Sequence, residues 1–179
     1  MKKNKIIVLG IGNSILGDDG IGLKVVNDLS KLVREPVDFI QTEEMGFGLL
    51  DFMIDYEQAV IIDSIQAGGV PGTIHLFSID DFNPNSTVSN HYVGLPELGA
   101  MSAQMGLNFP EKVNIIGIEI NDPYKITDQF SEEIHEKYES ILNKVNEELV
   151  KLCDFKKDKL RIRRCRRPNP RFSEAITRI

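Results

Sequence analysis

A glycine-rich loop that carries two adjacent carboxylates constrains this chain more than any other segment. The loop spans residues 10–22, follows an apolar run and precedes an amphipathic segment that begins at Ile21. Its glycines and Asn13 indicate a tight turn in which backbone segments approach closely. Asp18 and Asp19 would repel a phosphate group at a helix N-terminus, where anions are otherwise attracted. The loop therefore points to the handling of a cation or a proton.

Short apolar runs alternate with segments of helical periodicity along the chain. The runs predict strands at 5–9, 37–41, 59–63, 73–78 and 112–119. The periodic segments predict helices at 21–33, 46–54 and 93–105, and a last helix from Thr127 or Asp128 to about Cys153, with a loop at 80–90. The fourth strand alternates apolar and polar residues, which suits a sheet edge. This order predicts an α/β fold in three layers, a twisted and mostly parallel five-stranded sheet with helices on both faces.

Charge divides the chain into two parts. The 179 residues carry a net charge of −6, and the length suits a single domain. Residues 156–179 hold ten Lys or Arg against two acids, a net of +8 that leaves −14 on residues 1–155. We predict an α/β domain over 1–155 and a basic tail over 156–179. The tail is either a solvated extension or an arm for an acidic partner or RNA, whereas the acidic domain is not expected to bind nucleic acid.

The sequence favours a cytoplasmic protein that is not inserted in a membrane. It has no apolar run of about 18 residues. The short apolar stretch near the N-terminus breaks at Gly10 without a cleavage site, so we expect no signal peptide. Cys153 and Cys165 form no CxxC motif and are interpreted as reduced thiols. Neither is expected to be a nucleophile, because one ends a helix and the other lies in the tail.

Acidic residues follow three of the predicted strands at their carboxyl ends. Asp18 and Asp19 follow the first strand, Glu43 and Glu44 follow the second, and Asp63 ends the third. Open α/β sheets bind their ligands outside this edge, so we expect the five side chains to converge there.

His91 lies where the long loop meets the next helix, whereas His75 belongs to a strand and His135 to the exposed side of the last helix. Two carboxylates and one imidazole from three segments form a ligand set for a first-row metal ion. The spacing leaves simpler roles open. Asp63 would serve as a cap or turn residue, His91 as a surface or capping residue, and Asp18 as the N-cap of the first helix.

The glycine loop departs from the fingerprint of dinucleotide-binding proteins. The GxGxxG pattern that starts at Gly10 requires a glycine where Ile15 stands, and Gln41 ends the second strand in place of an acid. The sequence also lacks GxxxxGK[ST], HExxH and GxSxG motifs. These differences argue against a nucleotide-binding loop, a zincin and an α/β-hydrolase.

An ordered set of motifs resembles the hydrogenase maturation endopeptidases, which process the C-terminus of the large subunit of nickel–iron hydrogenases. The motifs are Gly10-Ile11-Gly12-Asn13, Asp18-Asp19-Gly20-Ile21-Gly22, Val60-Ile61-Ile62-Asp63, Pro71-Gly72-Thr73, and Ser89-Asn90-His91 with Gly94-Leu95. The resemblance covers about residues 5–153. It implies an α/β fold and an aspartate- and metal-dependent endopeptidase. The expected substrate is the large-subunit precursor, which loses a short C-terminal extension after nickel insertion.

The resemblance assigns the family's carboxylate–carboxylate–histidine trio to Asp19, Asp63 and His91, as catalytic and metal-binding residues. It implies that the metal is the nickel already seated in the substrate, with zinc or cadmium as substitutes in vitro. Cleavage would then depend on metal occupancy. Gly12 and Asn13 are expected to shape the loop and to expose backbone N–H groups to the substrate.

The region after the second strand departs from the family pattern. Family members often have a Gly-Gly-Thr-like stretch there, where this chain has Thr42-Glu43-Glu44-Met45-Gly46. We therefore assign Glu43 and Glu44 to the loop that contacts substrate. The basic tail has no counterpart expected from the family.

Two other hypotheses remain open at the level of sequence. A nickel-dependent binding protein or chaperone would use the same residues to recognise the large subunit without cleaving it. Peptidyl-tRNA hydrolases also open with a strand and a glycine–asparagine turn. They require a catalytic histidine near the first loop, however, and this chain has none before His75.

Overall fold

The computed structural model describes residues 5–81 and 95–155. The predictions made for 82–90, for His91 and for the basic tail over 156–179 lie outside these residues.

The described residues form strands and helices in the predicted alternating order. In chain order the elements are β1 (Ile6–Ile11), α1 (Ile21–Leu32), β2 (Val37–Thr42), α2 (Leu50–Met53), β3 (Gln58–Ile65), β4 (Ile74–Ser78), α3 (Leu95–Gln104), β5 (Lys112–Glu119) and α4 (Glu132–Leu152). Short 3₁₀ turns cover Gly17–Gly20, Gly46–Leu49 and Ile79–Asp81. The five predicted strands are confirmed. The helix predicted over 46–54 is a 3₁₀ turn followed by the single turn of α2.

The strands form one sheet in the order β2-β1-β3-β5-β4. The first four pair in parallel, and β4 lies antiparallel to β5 at the edge. The edge position of β4 is therefore confirmed. Every residue of β3 except the first is buried, as expected of an inner parallel strand that is covered on both faces.

Helices cover both faces of the sheet. The apolar stripes of α1 and α4 pack against one face, which includes Val60 and Ile116. The other face, which includes Ile61 and Ile115, is covered by α2 and α3. The predicted three-layer α/β fold is confirmed. No helix within the described ranges is long and apolar enough to cross a lipid bilayer.

The start of the last helix differs from its prediction. The sequence suggests a cap at Thr127 or Asp128, but the N-cap of α4 is Ser131, whose hydroxyl accepts a hydrogen bond from the N–H of Ile134 at 3.3 Å. Thr127 instead forms a backbone bridge with the first loop, opposite Leu16. Because this bridge joins segments that are distant in sequence, no local pattern predicts it.

The first helix lies close to the sheet because Gly10 and Gly22 have no side chains. A β-carbon on Gly22 would lie 2.2 Å from the carbonyl oxygen of Ile11 and 2.4 Å from that of Ile62. A β-carbon on Gly10 would lie 2.5 Å from the carbonyl oxygen of Gly22. These neighbours are backbone atoms that cannot rotate away, so the two glycines set the distance between α1 and the sheet.

We predict that Gly22→Ala lowers the free energy of unfolding by about 2–3 kcal/mol, since overpacking forces the backbone apart. Gly99→Ala in α3 is the matched control. Its β-carbon would meet the Phe109 ring at an ordinary 3.6 Å, and alanine favours helix more than glycine does. Urea denaturation of both variants measures the difference. A Gly22→Ala variant as stable as the unmodified protein would contradict the close approach.

Candidate active site

The loop after β1 folds back onto the 3₁₀ turn that carries Asp19. Gly12 has a φ of +148°, and a β-carbon there would lie 2.1 Å from the carbonyl oxygen of Asp19. Glycine is therefore required at this position. The backbone N–H of Asn13 donates a hydrogen bond to Oδ2 of Asp19 at 2.9 Å. The glycine loop thus orients the Asp19 carboxylate directly.

Ser64 links the carboxylates of Asp19 and Asp63. Its hydroxyl donates to Oδ1 of Asp19 at 2.6 Å, and its backbone N–H donates to Oδ1 of Asp63 at 2.8 Å. Asp63 is 0% exposed and Asp19 is 4% exposed. Each oxygen of a carboxylate has two lone pairs, so Asp19 can accept these hydrogen bonds and still contact a cation. The two carboxylates therefore share one hydrogen-bonded neighbour, Ser64, at the carboxyl edge of the sheet.

Asp18 has a different contact from the one suggested by the sequence. The N-cap of α1 is Gly20, and no side chain caps that helix, so the suggestion that Asp18 caps it is wrong. The reason is that Gly17–Gly20 forms a 3₁₀ turn, which separates Asp18 from the start of the helix. Oδ1 of Asp18 instead accepts the backbone N–H of Ser131 at 2.7 Å and fixes the start of α4.

The two glutamates after β2 point to different neighbours. Oε1 of Glu43 accepts hydrogen bonds from the hydroxyl of Ser14 at 2.9 Å and from its N–H at 3.3 Å. Glu43 therefore contacts the first loop. Glu44 folds over its own turn, where its Oε2 would lie 2.6 Å from a β-carbon on Gly48. Its carboxylate does not share the contact that Glu43 makes with the first loop.

The first loop does not present its backbone donors as expected. Gly12 is buried, and the N–H of Asn13 is bonded to Asp19. The expectation that these N–H groups are exposed to substrate is therefore wrong. The loop has the predicted tight shape, but the N–H of Asn13 positions a carboxylate.

His91 lies outside the described residues. Within residues 5–81 and 95–155, no three His, Cys, Asp or Glu side chains form a group able to hold a metal ion. The assignment of Asp19, Asp63 and His91 as metal ligands therefore stays a prediction.

A family model described as hydrogenase maturation protease matches residues 4–148. The chain belongs to the hydrogenase maturation protease family. The matched range contains the glycine loop, Asp19, Asp63 and His91, whereas residues 156–179 lie beyond it.

Several proteins of this family are similar to the chain. The hydrogenase expression/formation protein HupD of Rhizobium leguminosarum bv. viciae is 29% identical over 118 residues, which are 63% of this chain and 58% of HupD. The hydrogenase 2 maturation protease of Escherichia coli K12 is 28% identical over 119 residues, which are 64% of this chain and 72% of that protein. The chain spans only 54–61% of the length of three HupD relatives.

The family fold is also found in a solved structure. The hydrogenase maturating endopeptidase HybD from E. coli superposes with a TM-score of 0.66 at 24% identity, covering 82% of this chain and 93% of HybD. At this identity the likeness supports the α/β fold of this family member and nothing further.

Sequence reasoning missed a second polar pair in this family member, formed by the buried Glu119 and the half-buried His75. Glu119, which ends β5, is 1% exposed, and its Oε1 accepts the backbone N–H groups of Ala67 and Gly69 at 2.9 and 3.0 Å. Its Oε2 lies 3.1 Å from Nε2 of His75, at ion-pair distance when the imidazole is protonated. The pair holds the loop that follows β3.

The sheet register places this pair near Asp63. Gly117 of β5 pairs with Asp63 on one side and with His75 on the other, and paired residues project from the same face of a sheet. Glu119 and Ser64 share one sequence signal that would have found them. Each is a polar residue at the point where a buried apolar run ends.

Cys153 is unsuited to nucleophilic catalysis. Burial raises the pKa of its thiol to about 12, and the negative charge of Asp154 acts in the same direction. A thiol with this pKa is protonated at neutral pH, and the thiolate is the nucleophilic form. Cys165 lies outside the described residues.

We predict that Asp18→Ala lowers the free energy of unfolding by about 1–3 kcal/mol at pH 7, because the N–H of Ser131 loses a charged acceptor. Asp18→Asn keeps an oxygen at this position and should lose less. Urea denaturation followed by far-UV circular dichroism measures both variants. Full stability of Asp18→Ala would show that α4 does not depend on this contact.

Proposed function

We propose that this protein is an endopeptidase that removes a C-terminal extension from the precursor of a [NiFe] hydrogenase large subunit after nickel insertion. The observation that carries the proposal is the pair of buried carboxylates, Asp19 and Asp63, which Ser64 holds at the carboxyl edge of the sheet. Membership of the hydrogenase maturation protease family supports the class of reaction.

The residues present suit recognition of a nickel ion that belongs to the substrate. Carboxylate oxygens, together with an imidazole, form a ligand set for nickel or zinc, and zinc or cadmium would substitute in vitro. Asn13 and Ser64 each bond one oxygen of Asp19, which fixes its orientation. In the proposal, His91 supplies the third ligand.

The chain itself orients the carboxylates that would hold the reacting groups. A metal ion at this edge would polarise the scissile carbonyl for attack by water. The oxygen of that water bonds to the carbonyl carbon, the peptide C–N bond breaks, and a proton passes to the leaving amine. Burial of Asp63 and Asp19 keeps the carboxylates in fixed positions while this occurs.

Dependence on nickel would give the enzyme a way to distinguish loaded from empty precursor. An empty precursor lacks the ion that completes the contact with Asp19 and Asp63. The discrimination then equals the difference in binding free energy between loaded and empty precursor, which the contact with the ion supplies.

We predict that mixing the protein with its cognate precursor shortens only the nickel-loaded form. Intact-mass spectrometry of the loaded and nickel-free precursors, each incubated with equal amounts of protein, measures the loss of the C-terminal peptide. Binding without any change in mass would favour a chaperone role and contradict the proposal. Equal cleavage of both forms would contradict the dependence on nickel.

We predict that Asp19→Asn and His91→Ala each reduce the rate of processing by at least about 100-fold, because each removes a group that contacts the reacting centre. Asp18→Asn and His135→Ala are the matched controls and should retain processing. Circular dichroism tests whether the variants fold normally. Full processing by a folded Asp19→Asn variant would exclude a direct role for that carboxylate.

A further inference from the structure

The exposed apolar side chains of the described residues are concentrated at one edge of the sheet. Six of the eight large ones lie on loops that follow the carboxyl ends of β1, β2, β3 and β5. These six are Ile15, Met45, Phe47, Val70, Tyr124 and Ile126. The other two, Leu76 in β4 and Met105 after α3, lie elsewhere. Single exposed apolar residues are ordinary, but a set confined to one edge marks an interaction surface.

Hydrogen bonds connect the first loop to two of its neighbours. Ser14 donates two hydrogen bonds to the carboxylate of Glu43, which ties the first loop to the loop after β2. The N–H of Thr127 donates to the carbonyl oxygen of Ile15 at 3.0 Å, which ties it to the segment after β5. These contacts use polar groups and leave the apolar side chains of this region uncovered. The side chain of Ile126, for example, is 82% exposed.

The loops after β3 and β5 are also joined. The side-chain amide of Gln66 donates to the carbonyl oxygen of Asn121 at 2.6 Å. In the sheet order, β1 and β3 lie between β2 and β5. The loops that carry the six apolar residues therefore either follow the strands that lead to Asp19 and Asp63 or follow the strands beside them. The six residues thus lie at the same edge of the sheet as the carboxylate pair.

The same loops carry an excess of negative charge. Their exposed charged residues are four acids and one base: Glu43, Glu44, Asp122 and Asp128, and Lys125. A surface of this kind attracts a segment that bears Lys or Arg and repels an acidic one. A second copy of this chain would bring the same excess of carboxylates to the contact, so like charges disfavour self-association through this edge.

We propose that these six side chains form a docking surface for an apolar segment of the precursor that is flanked by Lys or Arg. This inference rests on the proposed function, since cleavage at Asp19 and Asp63 brings a segment of the precursor to the same edge. The apolar side chains supply the contact area, and the surrounding carboxylates select the charge of the flanking residues.

The test uses the double variant Tyr124→Asp/Ile126→Asp in the full-length protein. Both positions are exposed and lie outside the catalytic groups, so the fold should be retained. We expect the KM for nickel-loaded precursor to rise at least tenfold, with kcat within twofold of the unmodified protein. Leu76→Asp/Met105→Asp is the matched control, because it adds the same charge to exposed apolar positions away from the edge, and its KM should not change.

The charge of the occupant is tested separately. Asp122→Asn/Asp128→Asn removes two of the carboxylates. The Oδ1 of Asp122 accepts the N–H of Tyr124 in the unmodified protein, and the amide that replaces this carboxylate keeps an oxygen for that bond. We expect the KM of the unmodified protein to rise several-fold between low and high NaCl concentration, and this salt dependence to weaken in the variant. A KM independent of salt would overturn the requirement for Lys or Arg.

The outcomes separate this inference from the proposed function. If the unmodified protein does not cleave the precursor, the proposed function fails, and titration of loaded precursor then measures docking directly. Unchanged affinity or KM in Tyr124→Asp/Ile126→Asp would overturn the docking surface even if cleavage is normal. Light scattering measures the oligomeric state of the unmodified protein and of the double variant. A dimer that dissociates in the double variant would assign the surface to a second copy of the chain and overturn the proposal.

Discussion

The geometry of the candidate site depends on how closely the first loop and helix return to the sheet. Gly22 allows α1 to lie against the backbone oxygens of Ile11 and Ile62, and Gly12 allows the loop to touch the backbone of Asp19. A side chain at either glycine would displace the segment between them. Because the N–H of Asn13 orients the Asp19 carboxylate, the packing that stabilises the fold also sets the direction of that side chain.

The carboxyl edge of the sheet combines buried carboxylates with loops that expose apolar and acidic side chains. Asp19 and Asp63 are held by hydrogen bonds from neighbouring strands and loops, which suits a group that must meet a substrate atom in one orientation. The pair formed by Glu119 and His75 fixes the loop after β3 in a similar way. Groups that require exact placement are thus buried, whereas the side chains that would contact a protein partner are exposed.

Much of the fold could be predicted because inner parallel strands must be apolar on both faces, which gives uninterrupted runs that end at polar residues. The rule that ligands bind at strand ends selects Asp19 and Asp63, together with Asp18, Glu43 and Glu44. The contact of Asp18 with Ser131 and the bridging role of Ser64 could not be predicted, since they join segments distant in sequence. The start of α4 was misplaced because Thr127 has the same capping chemistry as Ser131, and only the tertiary bridge to the first loop decides between them.

The central claim is that Asp19 contacts the nickel of a loaded precursor. Nickel K-edge X-ray absorption would compare the precursor alone with complexes of the unmodified protein and of Asp19→Asn, freeze-quenched before cleavage. The account predicts a new oxygen or nitrogen neighbour at about 2.1 Å, the usual distance for carboxylate ligands of first-row ions, with the unmodified protein. The contribution of the Asp19 carboxylate should be missing with Asp19→Asn. An unchanged nickel environment in a complex that still proceeds to cleavage would contradict the account.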